Sequence, residues 1–173
     1  MKPEFLAYAA ASLLALAAPA IAAPPNLQTP APVIYLADNL DEKDQLGWCI
    51  DTLGRGFGER LQAHSCKPQG GDVQFSFDAE SGLIQSAEFP DFCMAHSPND
   101  QTTFALVSCD VAAADQRFGY DAASKTIHPS ADQSSCVSVA ASSRSAGPFM
   151  SRSLALTECA SSDAALKEWV ILE

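Results

Sequence analysis

Positive charge is scarce in this sequence: ten Lys and Arg stand against 21 Asp and Glu, a formal charge of −11 at pH 7. Nucleic acids and anionic membrane surfaces are held through clustered Lys and Arg, so neither is expected as a partner. Long apolar runs are missing beyond the N-terminus, and no later segment could cross a bilayer as a helix. No Gly-x-Ser-x-Gly, His-Glu-x-x-His or phosphate-cradling glycine loop occurs, which removes several common signatures of catalysis. No spacing singles out a pair of carboxylates for acid–base work. Sustained helical periodicity is absent as well. These absences point to a non-enzymatic, all-β protein with no cofactor.

The N-terminus reads as a leader. Lys2 gives a short positive start, Phe5 to Ala18 is apolar but too short to span a membrane, and Ala20-Ile21-Ala22 supplies small residues for cleavage. Residues 1–22 are therefore expected to be a signal peptide, cut after Ala22, and the mature protein to be secreted or periplasmic. About 150 residues remain, enough for one ordinary domain. Residues 23–36 form a proline-rich arm followed by a first strand at Val33-Ile34-Tyr35-Leu36, which is β-branched and aromatic.

All six cysteines lie behind the leader, an even number that favours disulfides in an oxidising compartment. Their context recurs. Cys49 opens a unit that closes at Cys66, Cys93 one that closes at Cys109, and Cys136 one that closes at Cys159. The opening cysteines are 44 and then 43 residues apart, and an aromatic follows each closing one: Phe75, Phe118 and Trp169. Period, cysteines and aromatics keep one register, which defines an internal threefold repeat of about 43 residues. Six cysteines alone allow 15 pairings; the repeat selects Cys49–Cys66, Cys93–Cys109 and Cys136–Cys159. Apolar residues Leu40, Ile84 and Ile127 each lie nine before an opening cysteine.

Alternation shows strands. Leu61 and Ala63, Phe104 and Leu106, and Leu154 and Leu156 share one face, while Gln62 and His64 take the other. Turn signals at 54–58, 68–71, 98–100 and 147–148 separate short strands. Three copies of a four-strand unit predict a barrel with threefold pseudosymmetry. His64, His96 and His128 occupy different repeat positions, so the symmetry cannot gather them and no metal site is expected. The third repeat separates its cysteines by 23 residues against 17 and 16, placing an insertion of about seven within 141–151, with Arg144 and Arg152 near its edges. It reads as a surface loop.

Cys49-Ile50-Asp51, Leu61-Gln62-Ala63-His64-Ser65-Cys66 and Gln116-Arg117-Phe118 together resemble the ricin B-type β-trefoil lectins. That family repeats a Cys-apolar-Asp start, an apolar-Gln-apolar-aromatic-x-Cys strand and a Gln-x-Trp motif. Val73-Gln74-Phe75 and Lys167-Glu168-Trp169 are degenerate copies of the third. The likeness covers residues 37–173 and implies a β-trefoil with Phe75, Phe118 and Trp169 in its core.

In sugar-binding members the Asp accepts hydrogen bonds from two hydroxyls and the aromatic stacks on the sugar's apolar face. A polar residue, usually Asn, beside the Gln-x-Trp motif completes the site. Carried over, this implies a carbohydrate site in the first repeat through Asp51, Gln62, His64 and Asp72, galactose-type sugars and a glycan or glycoprotein partner. The second repeat keeps Asp115 and Gln116 but has Ala95 and Val107 at the decisive places; the third offers Ser138, Thr157 and Lys167. A different class stays open: a non-catalytic receptor- or partner-binding subunit with degenerate sugar sites, resembling the binding subunits of cytolethal distending toxins. A trefoil protease inhibitor, using the 141–151 insertion as its reactive loop, is the third option.

Overall fold

The computed structural model describes residues 24–40, 42–54 and 56–173; the expected leader lies outside them. Its strands are β1 (Val33–Leu36), β2 (Trp48–Thr52), β3 (Leu61–Ser65), β4 (Phe75–Asp78), β5 (Leu83–Ser86), β6 (Phe92–Ser97) and β7 (Asp100–Ser108). There follow β8 (Phe118–Asp121), β9 (Thr126–Pro129), β10 (Ser135–Val139), β11 (Arg144–Ala146), β12 (Phe149–Arg152), β13 (Leu154–Glu158) and β14 (Trp169–Leu172). Among the described residues the helical content is three short 3₁₀ turns, at Gly71–Val73, Ala114–Gln116 and Ala164–Leu166. Each leads into a strand that starts with an aromatic: Phe75, Phe118 or Trp169.

Those three rings are 0–2% exposed and share one apolar cluster with Ile34, Ile50, Ile84, Met94, Ile127 and Val137. Trp169 also satisfies its indole N–H, which donates to the Val137 carbonyl at 2.8 Å, so a large ring is buried without an orphaned donor. Leu61, Ala63, Phe104, Leu106, Leu154 and Leu156 are all buried, as the alternation predicts. Ile84 and Ile127 sit on β5 and β9, but Leu40 lies in a turn at φ 52° and is only partly buried.

The cysteines pair as Cys49–Cys66, Cys93–Cys109 and Cys136–Cys159. In each case the cysteines flank an antiparallel pair: β2 with β3, β6 with β7, and β10 with β13. The chain closes on itself where β1 pairs with β14, Val33 opposite Leu172.

Two segments behave unlike free surface chain. The proline-rich arm is docked: Gln28 N donates to Cys66 O at 3.2 Å, Thr29 Oγ1 to Lys67 O at 2.8 Å, and Leu27 packs on the cluster around the first disulfide. The third-repeat insertion is not a loop laid on the surface. It forms the hairpin β11–β12, and β12 adds to the edge of β3 with Ser151 opposite His64 and Arg152 opposite Ala63. The sheet order becomes β11-β12-β3-β2-β1-β14. Both faces of β3 are consequently buried, Gln62 and His64 at 4% and 6% exposure included.

Candidate functional site

The hairpin and the first repeat enclose a cavity of about 760 Å³. Its walls are the end of β3, the turn after β2, the stretch Lys67 to Asp72, and the hairpin from Arg144 to Ser151. Local sequence dictates each wall. Gly70 and Gly71 take φ 59° and 67°, a left-handed pair that turns the chain into the 3₁₀ segment carrying Asp72. Gly147 takes φ 69° in the two-residue turn between Ala146 and Phe149, where glycine at the first position suits a tight hairpin. A buried arginine then fastens the hairpin. Arg152 donates to the carbonyls of Ala140 and Ala141 at 2.8 and 2.7 Å, pairs with Glu42 at 2.8 Å and lies 4.5 Å over the Trp48 ring.

The four residues expected to bind sugar are brought together, with different exposures. Gln62, His64 and Asp72 line the cavity. Asp51 stands behind them with 0% exposure, so it is no open acceptor for sugar hydroxyls as the resemblance implied. Its Oδ2 accepts from Gln62 Nε2 at 3.3 Å, and its Oδ1 has no partner. Burial pushes the Asp51 carboxyl up to about 8, against the partial opposition of Lys67, so it is mostly neutral at pH 7. The physical reason is its place on β2, an inner strand hydrogen-bonded to β3 on one side and β1 on the other.

His64 is buried as well, on β3 opposite Ser151 of the hairpin. Burial holds its pKa below the usual histidine value, and its Nδ1 lies 3.0 Å from the Ser65 carbonyl. In the neutral ring that contact assigns the proton to Nδ1 and leaves Nε2 as an acceptor. The ring is paired with Phe149 in a T-shaped arrangement, 5.7 Å between centroids. Asp72 is ionically paired with Lys67 at 2.8 Å.

Sequence reasoning missed Lys67, Arg144 and Phe149. Arg144 reaches across from β11 and donates to Gln62 Oε1 at 3.0 Å. The only signal was the insertion with its edge arginines; that it folds onto β3, some 85 residues away, is a long-range pairing no local pattern encodes. The corresponding places in the other repeats are structural. Gln116 is buried, donating to Ser108 O and accepting from Asp110 N, both at 3.0 Å. Lys167 donates to the carbonyls of Cys159 and Ser162. Among the described residues, no group of three or more His, Cys, Asp and Glu is arranged to hold a metal ion.

The all-β fold is that of a β-trefoil, with the cavity lying between β3 and the β11–β12 hairpin. The chain belongs to the ricin-type beta-trefoil lectin domain family, whose model matches residues 39–169. Solved structures agree on the fold. The C-half of the earthworm R-type lectin, in complex with GalNAc, aligns with TM-score 0.58 at 14% identity over 82% of this chain and 98% of that one. The agglutinin from Abrus precatorius gives 0.59 at 17% identity, over 86% of this chain and 49% of that one. The cytolethal distending toxin from Actinobacillus actinomycetemcomitans gives 0.57 at 12%, over 81% and 90%. No curated protein sequence matches the chain. Among the described residues, no helix is long and apolar enough to cross a membrane.

Proposed function

We propose that this protein is a secreted or periplasmic, non-catalytic sugar-binding module with one site, the cavity between the first repeat and the hairpin. The observation that carries the reading is the composition of that cavity. The partly exposed Phe149 ring lines it together with Gln62 and an acceptor–donor pair, Asp72 and Lys67. A pyranose asks for this combination: a ring for its C–H face, and charged groups for directed bonds to its hydroxyls. Asp51 acts from behind, holding Gln62, and His64 supports Phe149 rather than stacking itself. Galactose-type sugars are the class favoured by family membership. The six paired cysteines support export to an oxidising compartment.

A single monosaccharide site of this kind gives affinity in roughly the millimolar range, about −4 kcal/mol. NMR titration with galactose and N-acetylgalactosamine tests it on wild type, Phe149→Ala, Asp72→Asn and the control Asp115→Asn. Saturable shifts around β3 that weaken at least about tenfold in the first two variants, and not in the control, are expected. Shifts abolished by Asp115→Asn would move the site to the second repeat. A wild type that responds to no common sugar overturns the reading. It would favour a partner-binding subunit, which the burial of Asp51 and the degenerate second and third repeats already suit.

A further inference from the structure

We propose that the cavity is built for an acidic saccharide, a pyranose bearing a carboxylate, and that Arg144 is the group that reads the charge. The inference rests on the cavity being a sugar site and goes further, to the class of sugar. Three charged side chains line the cavity. Lys67 and Asp72 neutralise each other at 2.8 Å, which leaves the Arg144 guanidinium over. Among the described residues no carboxylate oxygen lies within 4.0 Å of it. Its two recorded partners are neutral, Ser153 Oγ and Gln62 Oε1, each at 3.0 Å.

The guanidinium is also held in place. The two bonds use one N–H on each terminal nitrogen and fix the plane of the fork, leaving three further N–H groups for a ligand. A planar carboxylate is the anion that fits such a fork with two parallel bonds. The back of the cavity adds no opposing charge, because Asp51 is fully buried and burial keeps it mostly neutral near pH 7. A hexuronic acid would place its C–H face near Phe149, its hydroxyls toward Asp72 and Lys67, and its carboxylate at Arg144.

The test compares galactose, galacturonic acid and the methyl ester of galacturonic acid by NMR titration of the whole mature protein at pH 7. The ester keeps the shape and removes the charge. Galacturonate is expected to bind about tenfold more tightly than galactose or the ester. Arg144→Gln should bring all three within about threefold of one another, while Arg144→Lys keeps part of the preference because it keeps the charge but loses the fork. An advantage for galacturonate that survives Arg144→Gln overturns the assignment to Arg144. Equal binding of acid, ester and galactose by wild type overturns the acidic class but leaves the sugar site standing. Failure of all three to bind removes the sugar site and this inference together.

Discussion

A single buried carboxyl, Asp51, carries the largest chemical consequence of this fold. In the unfolded chain it ionises near 3.8; in the native fold burial delays ionisation to about 8. Between those values the native state holds a proton the unfolded chain has lost, so stability falls as pH rises across the interval and levels off above it. His64 works in the opposite direction. Its native pKa lies below 6.5, so acid favours the unfolded chain, which takes up a proton the buried ring refuses. Above pH 6.5 only the Asp51 slope remains of the two. Wild type is expected to lose about 1–2 kcal/mol between pH 6.5 and 8, at up to ~1.4 kcal/mol per pH unit. Asp51→Asn should be flat over that range. Urea melts at the two pH values decide it, and a flat wild type would show that the carboxyl ionises inside the fold at no cost.

At the scale of elements, the β11–β12 hairpin separates this chain from a plain trefoil. It contributes edge hydrogen bonds to β3 and supplies Phe149 and Arg144 to the cavity. Its attachment depends on Arg152, which is 4% exposed and bonded to two carbonyls and Glu42. Arg152→Met keeps bulk against Trp48 but leaves Glu42 and two carbonyls without their cation. Losing one partner of a buried pair costs about 3 kcal/mol or more, and the hairpin should loosen first. Hydrogen exchange read at Phe149, Met150 and Ser151 should therefore accelerate more than exchange in β6 and β7. Uniform acceleration would mean that the hairpin and the barrel open as one unit. Arm and hairpin share a lesson about local pattern: both were readable as segments, and neither announced that it packs on the first repeat.

For the whole molecule, stability leans on the disulfides. The three loops span 16 to 23 residues, each worth roughly 3 kcal/mol in the chain-entropy account. Their sum is comparable to the 5–15 kcal/mol of a typical domain. Full reduction is expected to leave the chain unfolded at 25 °C, seen as loss of the cooperative thermal transition by circular dichroism. A reduced protein that still melts within a few degrees of the oxidised one would assign stability to the aromatic core instead. Non-reducing peptide mapping provides the companion check, since any peptide joining two repeats contradicts the pairing.

The sequence by itself settled what is periodic. Cysteine spacing dictated the disulfide partners, since each pair sits at matched places along neighbouring strands. Aromatic spacing named Phe75, Phe118 and Trp169 as core, since equivalent positions must meet equivalent surroundings. Strand alternation placed Leu61, Phe104 and Leu154 inward. The tertiary structure alone decided what breaks the period. Whether β3 ends the sheet or is flanked on that side depends on residues more than 80 positions later folding back onto it. That is an edge-strand pairing between β12 and β3, specified by packing around Arg152 and Trp48 rather than by any neighbour in sequence. The same pairing gives the cavity one of its walls, with Phe149 and the exposed Arg144 on it. The walls of a site are set by what packs beside it, and one wall here came from another part of the chain.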